Sequence, residues 1–289
     1  MQHPEAERHD RPVPPPDSSA PNALTIDWED WYHGLLDHHA EWDGFEARLA
    51  PITDQILSWL DERGVSATFF VLGHAAERHP ELVRRIHAAG HEIASHGHAH
   101  RFVSSQSREE FRRDTERAAK FLADLLSAPI HGYRASTFTV TKETLWALDV
   151  IEECGFRYDS SIFPVRNPVY GIPDAPRFPH RLKDRDLWEV PPSTLRVGTF
   201  NLPVAGGFYL RVLPLWLLRG AYRKILRAGE PIVFYTHPWE MDPGQPAGPY
   251  KLSWRIARRV GLRHTAGRFR SLLESFDWGT VSAMLAARA

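Results

Sequence analysis

Short apolar runs alternate with amphipathic stretches along the chain from Ala23 to Phe163. Residues 23–27, 67–72 and 92–95 are short segments whose apolar and β-branched content predicts strands. Between them, apolar side chains recur every three or four residues, as in helices that bury one face. This alternation predicts an α/β protein built from parallel βα units, arranged either as an open sheet or as a barrel.

Further elements continue this alternation. Helices are predicted at 45–63, 80–89, 107–126, 141–153 and 215–228, and strands at 132–134, 156–160 and 231–237, and ordered structure is expected to resume at 187–190. Gly64 and Gly90 end the first two helices, because glycine readily adopts the left-handed conformation that terminates a helix. Ser107 and Glu110 have the spacing of a capping box at the start of the third helix. Residues 248–289 predict a polar loop and one or two arginine-rich helices.

Two stretches interrupt the alternation. Residues 1–22 are polar and rich in proline, which predicts a disordered tail, and they contain no apolar segment of a signal peptide. Prolines recur through residues 164–186, which predicts an irregular insertion. We therefore expect three regions: the tail, a barrel domain at 23–240 that contains the insertion, and a helical extension at 241–289 packed on the barrel.

Composition narrows the class of protein. Of 289 residues, 43% are hydrophobic and 25% are charged, as in ordinary globular proteins. The net charge of -1 provides no overall basic field, so we expect no nucleic-acid partner. The single cysteine, Cys154, excludes an internal disulfide and a cysteine-rich metal site.

The expected location follows from the absence of targeting signals. No run of about 18 uncharged apolar residues is present, so we expect no transmembrane segment. Without a signal peptide the expected location is the cytoplasm. Attachment to the membrane surface is an alternative, because the helix around Trp216 mixes apolar and cationic residues.

The polar residues with catalytic potential stand where the predicted strands end. In α/β folds, ligands bind at the C-terminal ends of parallel strands. Five strands end in acids, histidines or an arginine, at residues 27–30, 96–100, 134, 159–161 and 237–240. We expect these side chains to share one rim of the sheet.

His96 and His100 are the strongest indication of a metal site. Their spacing of four residues places both imidazoles on one side of a helical turn. With a carboxylate from residues 27–30 they predict a site of two histidines and one carboxylate. Such a site suits Zn²⁺ first, and also Co²⁺, Ni²⁺, Fe²⁺ or Mn²⁺. The alternative interpretation is a polar loop whose histidines bind no metal.

The acidic cluster of Asp27, Glu29 and Asp30 offers both a metal ligand and a base. Metal-assisted hydrolysis needs one carboxylate on the ion and another that removes a proton from water. Arg134 is a candidate to orient that base, and His237 is a candidate acid because imidazole titrates near neutral pH. The alternatives are an acidic turn that caps a helix, a surface arginine and a histidine bonded to the backbone.

Four motifs occur in a characteristic order: Asp27-x-Glu29-Asp30, His96-x-x-x-His100, Arg134-Ala135-Ser136 and Thr236-His237. In this order they resemble the motifs of the polysaccharide deacetylases, the NodB-homology domains of carbohydrate esterase family 4. Residues 27–31, 158–164 and 237–240 are most similar to the deacetylases of bacterial exosortase (PEP-CTERM) exopolysaccharide loci. The resemblance implies a deformed (β/α) barrel of about seven parallel strands with a C-terminal extension.

The resemblance also implies roles for the acid–base residues. Asp27 matches the catalytic base, and Arg134 matches the arginine that orients it. His237 matches the catalytic acid. The acid that adjusts the pKa of this histidine is less clearly matched, and Asp159 or Glu189 is expected to fill that position.

The metal ligands are implied in the same way. His96 and His100 match the two metal histidines of the family. Glu29 is the expected third ligand, with Asp30 as the alternate. Gly97 stands where the family usually has serine or threonine, which we expect to alter the stiffness of the loop more than its chemistry.

The activity implied by the resemblance is metal-dependent removal of acetyl groups, foremost N-acetyl groups from amino sugars of a bacterial exopolysaccharide or its precursor. Hydrolysis of O-acetyl esters or cyclic amides on the same fold, and carbohydrate binding without catalysis, are the alternatives. Four aromatic residues are predicted to contact sugar rings: Trp28, Trp31, Tyr209 and Trp239. The expected partners are an acetylated glycan and, through peripheral association, membrane-bound exopolysaccharide machinery.

Overall fold

The computed structural model describes residues 21–288, and eleven strands lie within them. They are β1 (Asn22–Trp28), β2 (Thr68–Val71), β3 (Glu92–Ser95), β4 (Gly132–Tyr133), β5 (Tyr158–Asp159), β6 (His180–Arg181), β7 (Trp188–Glu189), β8 (Thr194–Val197), β9 (Phe200–Pro203), β10 (Val233–Thr236) and β11 (Trp278–Gly279). The six strands that the hydrophobic pattern predicts correspond to β1–β5 and β10, and β7 lies in the segment 187–190 where ordered structure is expected to resume. The short strands β6 and β11 and the β8–β9 hairpin carry no such pattern.

Ten α-helices connect these strands within the same residues. They are α1 (Leu49–Arg63), α2 (Gly73–Arg78), α3 (Pro80–Ala88), α4 (Arg108–Leu126), α5 (Ala147–Glu153), α6 (Gly207–Val212), α7 (Leu215–Arg227), α8 (Leu252–Arg259), α9 (Leu262–Leu273) and α10 (Val281–Ala286). The predicted capping box is confirmed, because Ser107 accepts from the Glu110 amide and Glu110 accepts from the Ser107 amide. Gly64 ends α1 with a φ of 62°.

Seven parallel strands follow one another in the order β10-β1-β2-β3-β4-β5-β7, and β6 adds an antiparallel edge to β7. Beyond β7 the chain approaches β10, where the Ser193 amide donates to the Val233 carbonyl at 3.0 Å. The Val233 amide donates in turn to Ser193 Oγ at 2.9 Å. The two hydrogen bonds of Ser193, rather than a pair of strands, connect the β7 side of the sheet with β10. The predicted deformed barrel is confirmed.

Side chains along β1 alternate between two environments, as the two-residue period of a strand requires. Leu24, Ile26 and Trp28 pack with the surrounding helices in the largest apolar cluster. Thr25 and Asp27 face the interior of the barrel, where both accept hydrogen bonds from one guanidinium group. The last inward position of β1 therefore places a carboxylate at the C-terminal end of the barrel.

The chain after residue 241 packs back onto the sheet. Strand β11 pairs in parallel with the start of β1, and Val281 and Met284 of α10 pack with the inward-facing Phe70. Helix α9 packs against α6. Helix α8 differs from the other helices of this segment because none of its residues is buried.

The ends and the insertion differ in detail from the predicted boundaries. The predicted tail, residues 1–22, lies outside the described residues except for Pro21 and Asn22, and Asn22 already belongs to β1. Residues 164–186 contain only the short strand β6. Among residues 21–288, no helix combines the length and apolar content needed to cross a bilayer.

Candidate metal and catalytic site

Residues from the ends of four parallel strands meet at the C-terminal end of the barrel. Asp27 is near the end of β1 and Glu29 follows it, His96 follows β3, Arg134 follows β4 and His237 follows β10. The carboxylates and Arg134 are buried, whereas the His237 side chain is 21% exposed. The rim expected from the sequence is thus formed by the fold, with His237 at its solvent side.

Glu29, His96 and His100 form a buried cluster of potential metal ligands. One donor atom of each lies within 4.8 Å of the donor atoms of the other two. Nδ1 of His96 contacts the Arg134 carbonyl oxygen at 2.8 Å, which leaves Nε2 free to bind an ion. Burial lowers the pKa of His96 to about 4, so its ring is neutral at neutral pH.

The cluster fits the divalent cation that the resemblance implies. Glu29 Oε2 and His100 Nδ1 are buried and have no hydrogen-bond partner among the described residues. Glu29 Oε2 also lies 2.8 Å from His100 Nε2 without hydrogen-bond geometry. Burial raises the pKa of Glu29, but the nearby imidazoles outweigh it and hold the pKa below its usual range. An ionised carboxylate beside two imidazoles is a donor set that Zn²⁺ and similar ions accept.

His96 and His100 lie in the loop after β3, so the expectation that they share a helical turn is wrong. No helix forms over residues 96–100, and Gly97 and His100 have φ angles of 69° and 49°. Asp114 of α4 holds the loop by accepting from the two amides after Gly97, at 2.7 and 3.1 Å. A Cβ at Gly97 would lie 2.9 Å from this carboxylate, so both the φ angle and the close approach require glycine.

Asp30, the alternate metal carboxylate, binds backbone amides instead. It accepts from the Arg48 amide at 2.6 Å, the Leu49 amide at 3.2 Å and the Trp31 amide at 2.8 Å. Arg48 is the residue before α1 and Leu49 is its first residue. Asp30 therefore satisfies free amides at the N-terminus of that helix. The helix predicted from residue 45 accordingly begins at Leu49. Asp30 lies outside the ligand cluster, which leaves Glu29 as its carboxylate.

Asp27 is held by a fully buried arginine. Arg134 Nη1 donates to Asp27 Oδ1 at 2.5 Å and to Thr25 Oγ1 at 2.9 Å. Arg134 Nη2 donates to Ser160 Oγ at 2.8 Å, and the guanidinium lies 3.9 Å from the centre of the Phe70 ring. The paired charge and the two hydrogen bonds of Nη1 fix the orientation of the buried carboxylate, as a general base requires.

His237 faces both carboxylates of the site. Its Nε2 atom lies 3.8 Å from Asp27 Oδ2 and 4.0 Å from Glu29 Oε1. Its Nδ1 atom lies 3.0 Å from Glu240 Oε2, and Glu240 Oε1 lies 3.1 Å from Arg211. Burial lowers the pKa of His237, but the hydrogen bond and charge of Glu240, with the other two carboxylates, raise it above 6.5. The imidazolium therefore persists to higher pH than in a free histidine.

The carboxylate that contacts His237 is Glu240, so the expectation that Asp159 or Glu189 adjusts its pKa is wrong. Burial raises the pKa of Glu240, yet His237 and Arg211 together lower it to about 2. Glu240 stands three residues after His237 and accepts from its backbone amide. That spacing in His-Pro-Trp-Glu was a sequence signal for the contact.

Asp159 and Glu189 form a separate pair of buried carboxyl groups. They occupy matching positions on the neighbouring parallel strands β5 and β7. Asp159 accepts from the Ser161 hydroxyl at 2.5 Å, and Glu189 accepts from the Ile162 amide at 3.0 Å. Burial raises the pKa of Asp159 to about 6, and burial with the charge of Asp159 raises the pKa of Glu189 well above its usual value. The pair therefore retains a proton to higher pH than two exposed carboxyl groups would.

Two of the four aromatic residues predicted to contact sugar are in the core. Trp28 is fully buried, and Trp31 is 2% exposed with its indole N–H bonded to the Glu46 carbonyl. Trp239 and Tyr209 are partly exposed. Trp239 stacks on His237 with ring centres 5.0 Å apart. The expectation for Trp28 and Trp31 is wrong because one faces the helix layer and the other is covered by the chain.

Backbone amides after Arg134 are candidate donors to a developing oxyanion. The Arg134 amide donates to a carbonyl of β3 and the Ala135 amide donates to Ser161 Oγ, so neither is free. Thr137 and Phe138, which follow, have φ angles of 55° and 54°, a strained conformation for residues other than glycine. The strained turn lies directly beside the buried ion pair of Arg134.

Two family models match adjacent segments of the chain. Residues 42–158 match the model described as polysaccharide deacetylase, and residues 160–286 match a domain of unknown function, DUF3473. The first segment contains both histidines of the ligand cluster and Arg134, and the second contains His237. Asp27, Glu29 and Asp30 precede both segments.

Curated relatives are similar over short segments. A chitooligosaccharide deacetylase of Rhizobium leguminosarum bv. trifolii is 45% identical over 62 residues, which are 22% of this chain and 29% of the relative. A peptidoglycan-N-acetylglucosamine deacetylase of Bacillus cereus is 33% identical over 78 residues, which are 27% of this chain and 37% of the relative. The chain therefore matches well under half the length of these relatives.

A solved structure is similar over almost the whole chain. The crystal structure of a proposed polysaccharide deacetylase from Mycobacterium smegmatis superposes with a TM-score of 0.57 at 23% identity. The superposition covers 96% of this chain and 94% of the other. At this identity the similarity establishes the shared fold.

Proposed function

Because residues 42–158 match the family model described as polysaccharide deacetylase, we propose that this protein is a metal-dependent N-deacetylase of amino sugars in a polysaccharide. The observation that carries the proposal is one rim with a ligand cluster, a base held by arginine and a histidine held by a carboxylate. Sequence similarity to chitooligosaccharide and peptidoglycan-N-acetylglucosamine deacetylases supports an N-acetylated hexosamine as the substrate unit.

Glu29, His96 and His100 would hold the metal, for which we propose Zn²⁺ because it commonly binds imidazole and carboxylate together. Such a cation would polarise the acetyl carbonyl and make water more acidic. The contact of His96 with the Arg134 carbonyl fixes the ring orientation before any ion binds.

Asp27 then acts as the general base. Its Oδ1 atom is occupied by Arg134, so Oδ2, which faces His237, is the oxygen available to accept a proton from attacking water. Arg134 holds this carboxylate in a fixed orientation. General-base catalysis of this kind contributes roughly 10²–10⁴-fold to the rate.

His237 acts as the general acid. Its protonated ring donates to the departing amine, which is a poor leaving group without a proton. Glu240 accepts from the opposite ring nitrogen and stabilises the charged ring. The Thr137 amide of the strained turn is the proposed donor to the tetrahedral oxyanion, because the Phe138 amide already donates to the Ala135 carbonyl.

The substrate is proposed to be a bacterial exopolysaccharide or its precursor, on the similarity of residues 27–31 and 237–240 to deacetylases of exosortase loci. Peripheral association with exopolysaccharide machinery is part of the same proposal. Trp239 is partly exposed beside His237, and Tyr209 is partly exposed in α6. Both side chains would contact sugar rings.

Acetate release tests the proposal. Purified protein loaded with Zn²⁺ is incubated with N-acetylhexosamine oligomers, and released acetate is measured with and without a chelator. We expect release that a chelator abolishes, and a loss of kcat/KM of roughly 10²–10⁴-fold in Asp27→Asn. Absence of acetate from a panel of N- and O-acetylated glycans would contradict the proposal, and release from O-acetylated substrates alone would favour an esterase.

A further inference from the structure

Helix α8 presents apolar side chains to solvent. None of its residues is buried, and Leu252, Trp254 and Ile256 are 70%, 57% and 62% exposed. Val260, which follows the helix, is 42% exposed. A helix in a folded domain normally buries its apolar stripe. Among residues 21–288, nothing covers this stripe.

Cations flank the apolar stripe. Leu252 and Ile256 are four residues apart on one side of α8, and Arg255 and Arg259 lie next to them at helical spacing. These four side chains and Val260 line one open depression of about 500 Å³. Within residues 21–288, neither Arg255 nor Arg259 is part of an ion pair.

The charge around α8 is one-sided. Between Asp242 and Glu274 the chain has seven lysine or arginine residues and no acid. Residues 160–288 contain nineteen cations and nine acids, although the whole chain has a net charge of -1. The C-terminal part is therefore strongly basic, and its excess charge is compensated by the N-terminal part.

Two neighbouring elements add further exposed apolar side chains. Arg211 of α6 donates to the carbonyl oxygens of Ala257 and Arg258, which joins α6 to the end of α8. The α6 residues Phe208 and Val212 are each 40% exposed, and Trp216 at the start of α7 is 74% exposed. We call α8, α6 and the first turn of α7 the basic apolar face.

We propose that the basic apolar face docks on a lipid bilayer with anionic headgroups. Apolar side chains of a short helix enter the headgroup region while flanking arginines pair with anionic lipids. Tryptophan favours this interface because its ring is apolar and its N–H is polar. A protein partner would need complementary acids and a matching apolar pocket, whereas a bilayer accepts this combination without either.

The inner side of α8 contacts the catalytic rim. Arg258 lies 3.7 Å from the centre of the Trp239 ring and donates to the Trp31 carbonyl at 2.8 Å. Tyr250, just before α8, donates to the same carbonyl at 2.6 Å. Docking through the outer side of α8 therefore brings the rim close to the bilayer. Binding itself is independent of the proposed deacetylase activity.

Vesicle flotation of the full chain tests the proposal. Vesicles of phosphatidylcholine alone are compared with vesicles that also contain phosphatidylglycerol, at low and at high salt. We expect flotation only with the anionic vesicles and release by salt. Arg255→Gln with Arg259→Gln is expected to weaken binding by roughly tenfold or more, at about one factor of three to five per cation. Leu252→Ser with Ile256→Ser should weaken it to a similar degree.

Matched variants on other surfaces control for exposure, charge and folding. They are Leu145→Ser with Val169→Ser, which replaces two apolar side chains of 41% and 44% exposure, and Arg84→Gln with Arg113→Gln. Their flotation should equal that of the unaltered chain, and all variants should keep its melting temperature. Equal flotation of the α8 variants, or no flotation at all, would overturn the proposal. A dimer in sedimentation that Leu252→Ser with Ile256→Ser dissociates would also overturn it, in favour of a second copy on this face.

Discussion

The imidazole of His237 is held by a chain of charged groups that ends outside the catalytic rim. Glu240 contacts its Nδ1 atom, and Arg211 contacts the other oxygen of Glu240. Arg211 also donates to the Val260 carbonyl at 3.0 Å, beyond the end of α8. All but His237 are buried, so the ring has a fixed orientation, and its Nε2 atom faces Asp27 and Glu29.

Glu240→Gln tests this arrangement by its substrate dependence. The glutamine cannot stabilise a charged imidazole, so we expect kcat to fall by roughly 10–100-fold on an N-acetyl substrate. An acetyl ester with a good leaving group needs little protonation, so its hydrolysis should fall much less. The two rates are measured on the same preparation.

The surface variant Glu81→Gln serves as the control and should leave both rates unchanged. Equal losses on amide and ester would contradict a role in protonating the leaving group. They would instead indicate that Glu240 only maintains the shape of the rim.

The paired strands β5 and β7 illustrate what burial does to two neighbouring acids. Asp159 and Glu189 are in register, and neither has an arginine as a direct partner in an ion pair among the described residues. Their pKa values are raised by burial. The folded chain therefore keeps a proton that the unfolded chain releases above about pH 4.5. The contribution of this pair to folding stability therefore falls as the pH rises above this value.

Glu189→Gln should remove most of this pH dependence. Glutamine resembles the protonated acid but does not ionise in either state. In the variant, position 189 therefore adds no pH dependence to the free energy of unfolding. We expect the melting temperature of the unaltered chain to fall more than that of the variant between about pH 5 and about pH 8. Thermal unfolding monitored by circular dichroism at several pH values measures the difference.

The exposed residue Glu109 provides a matched control, because Glu109→Gln should follow the unaltered chain at every pH. If Glu189→Gln and the unaltered chain kept parallel curves, the shared proton would be ruled out.

Metal binding would connect distant parts of the whole molecule. The ligands come from the loops after β1 and β3, which are brought together only in the folded barrel. An ion that binds the folded but not the unfolded chain stabilises by about 2.7 kcal/mol at a hundredfold excess over its Kd. For a chain of this size that corresponds to a rise of several degrees in melting temperature.

Two substitutions distinguish the metal ligand from its neighbour. Glu29→Gln should abolish most of the rise in melting temperature that Zn²⁺ produces. Asp30→Ala should lower the melting temperature of the metal-free chain by removing a helix cap worth about 0.5–2 kcal/mol, and should keep the Zn²⁺-induced rise. Thermal scans with and without Zn²⁺ measure both effects. Loss of the rise in Asp30→Ala but not in Glu29→Gln would reverse the assignment.

Part of the site was accessible from the sequence because strand ends and motif order identify it. Asp27, His96, Arg134 and His237 were predicted and lie on one rim. Trp28 was predicted to contact sugar, although the two-residue period of β1 already directs it away from the interior that Asp27 faces. The contacts of Asp114 and Arg211 have no local signal, because their partners lie in other elements.

The sequence by itself determined six of the seven parallel strands, most ends of the five predicted helices and the residue types of the rim, since periodicity and capping act over a few neighbouring residues. Only the tertiary structure decided which partner each of the first three acids contacts. Asp30 caps α1, Glu29 joins the histidines and Asp27 pairs with Arg134, although all three acids stand at the end of β1. Those choices depend on distances between segments far apart in the chain, and the packing of the barrel sets these distances.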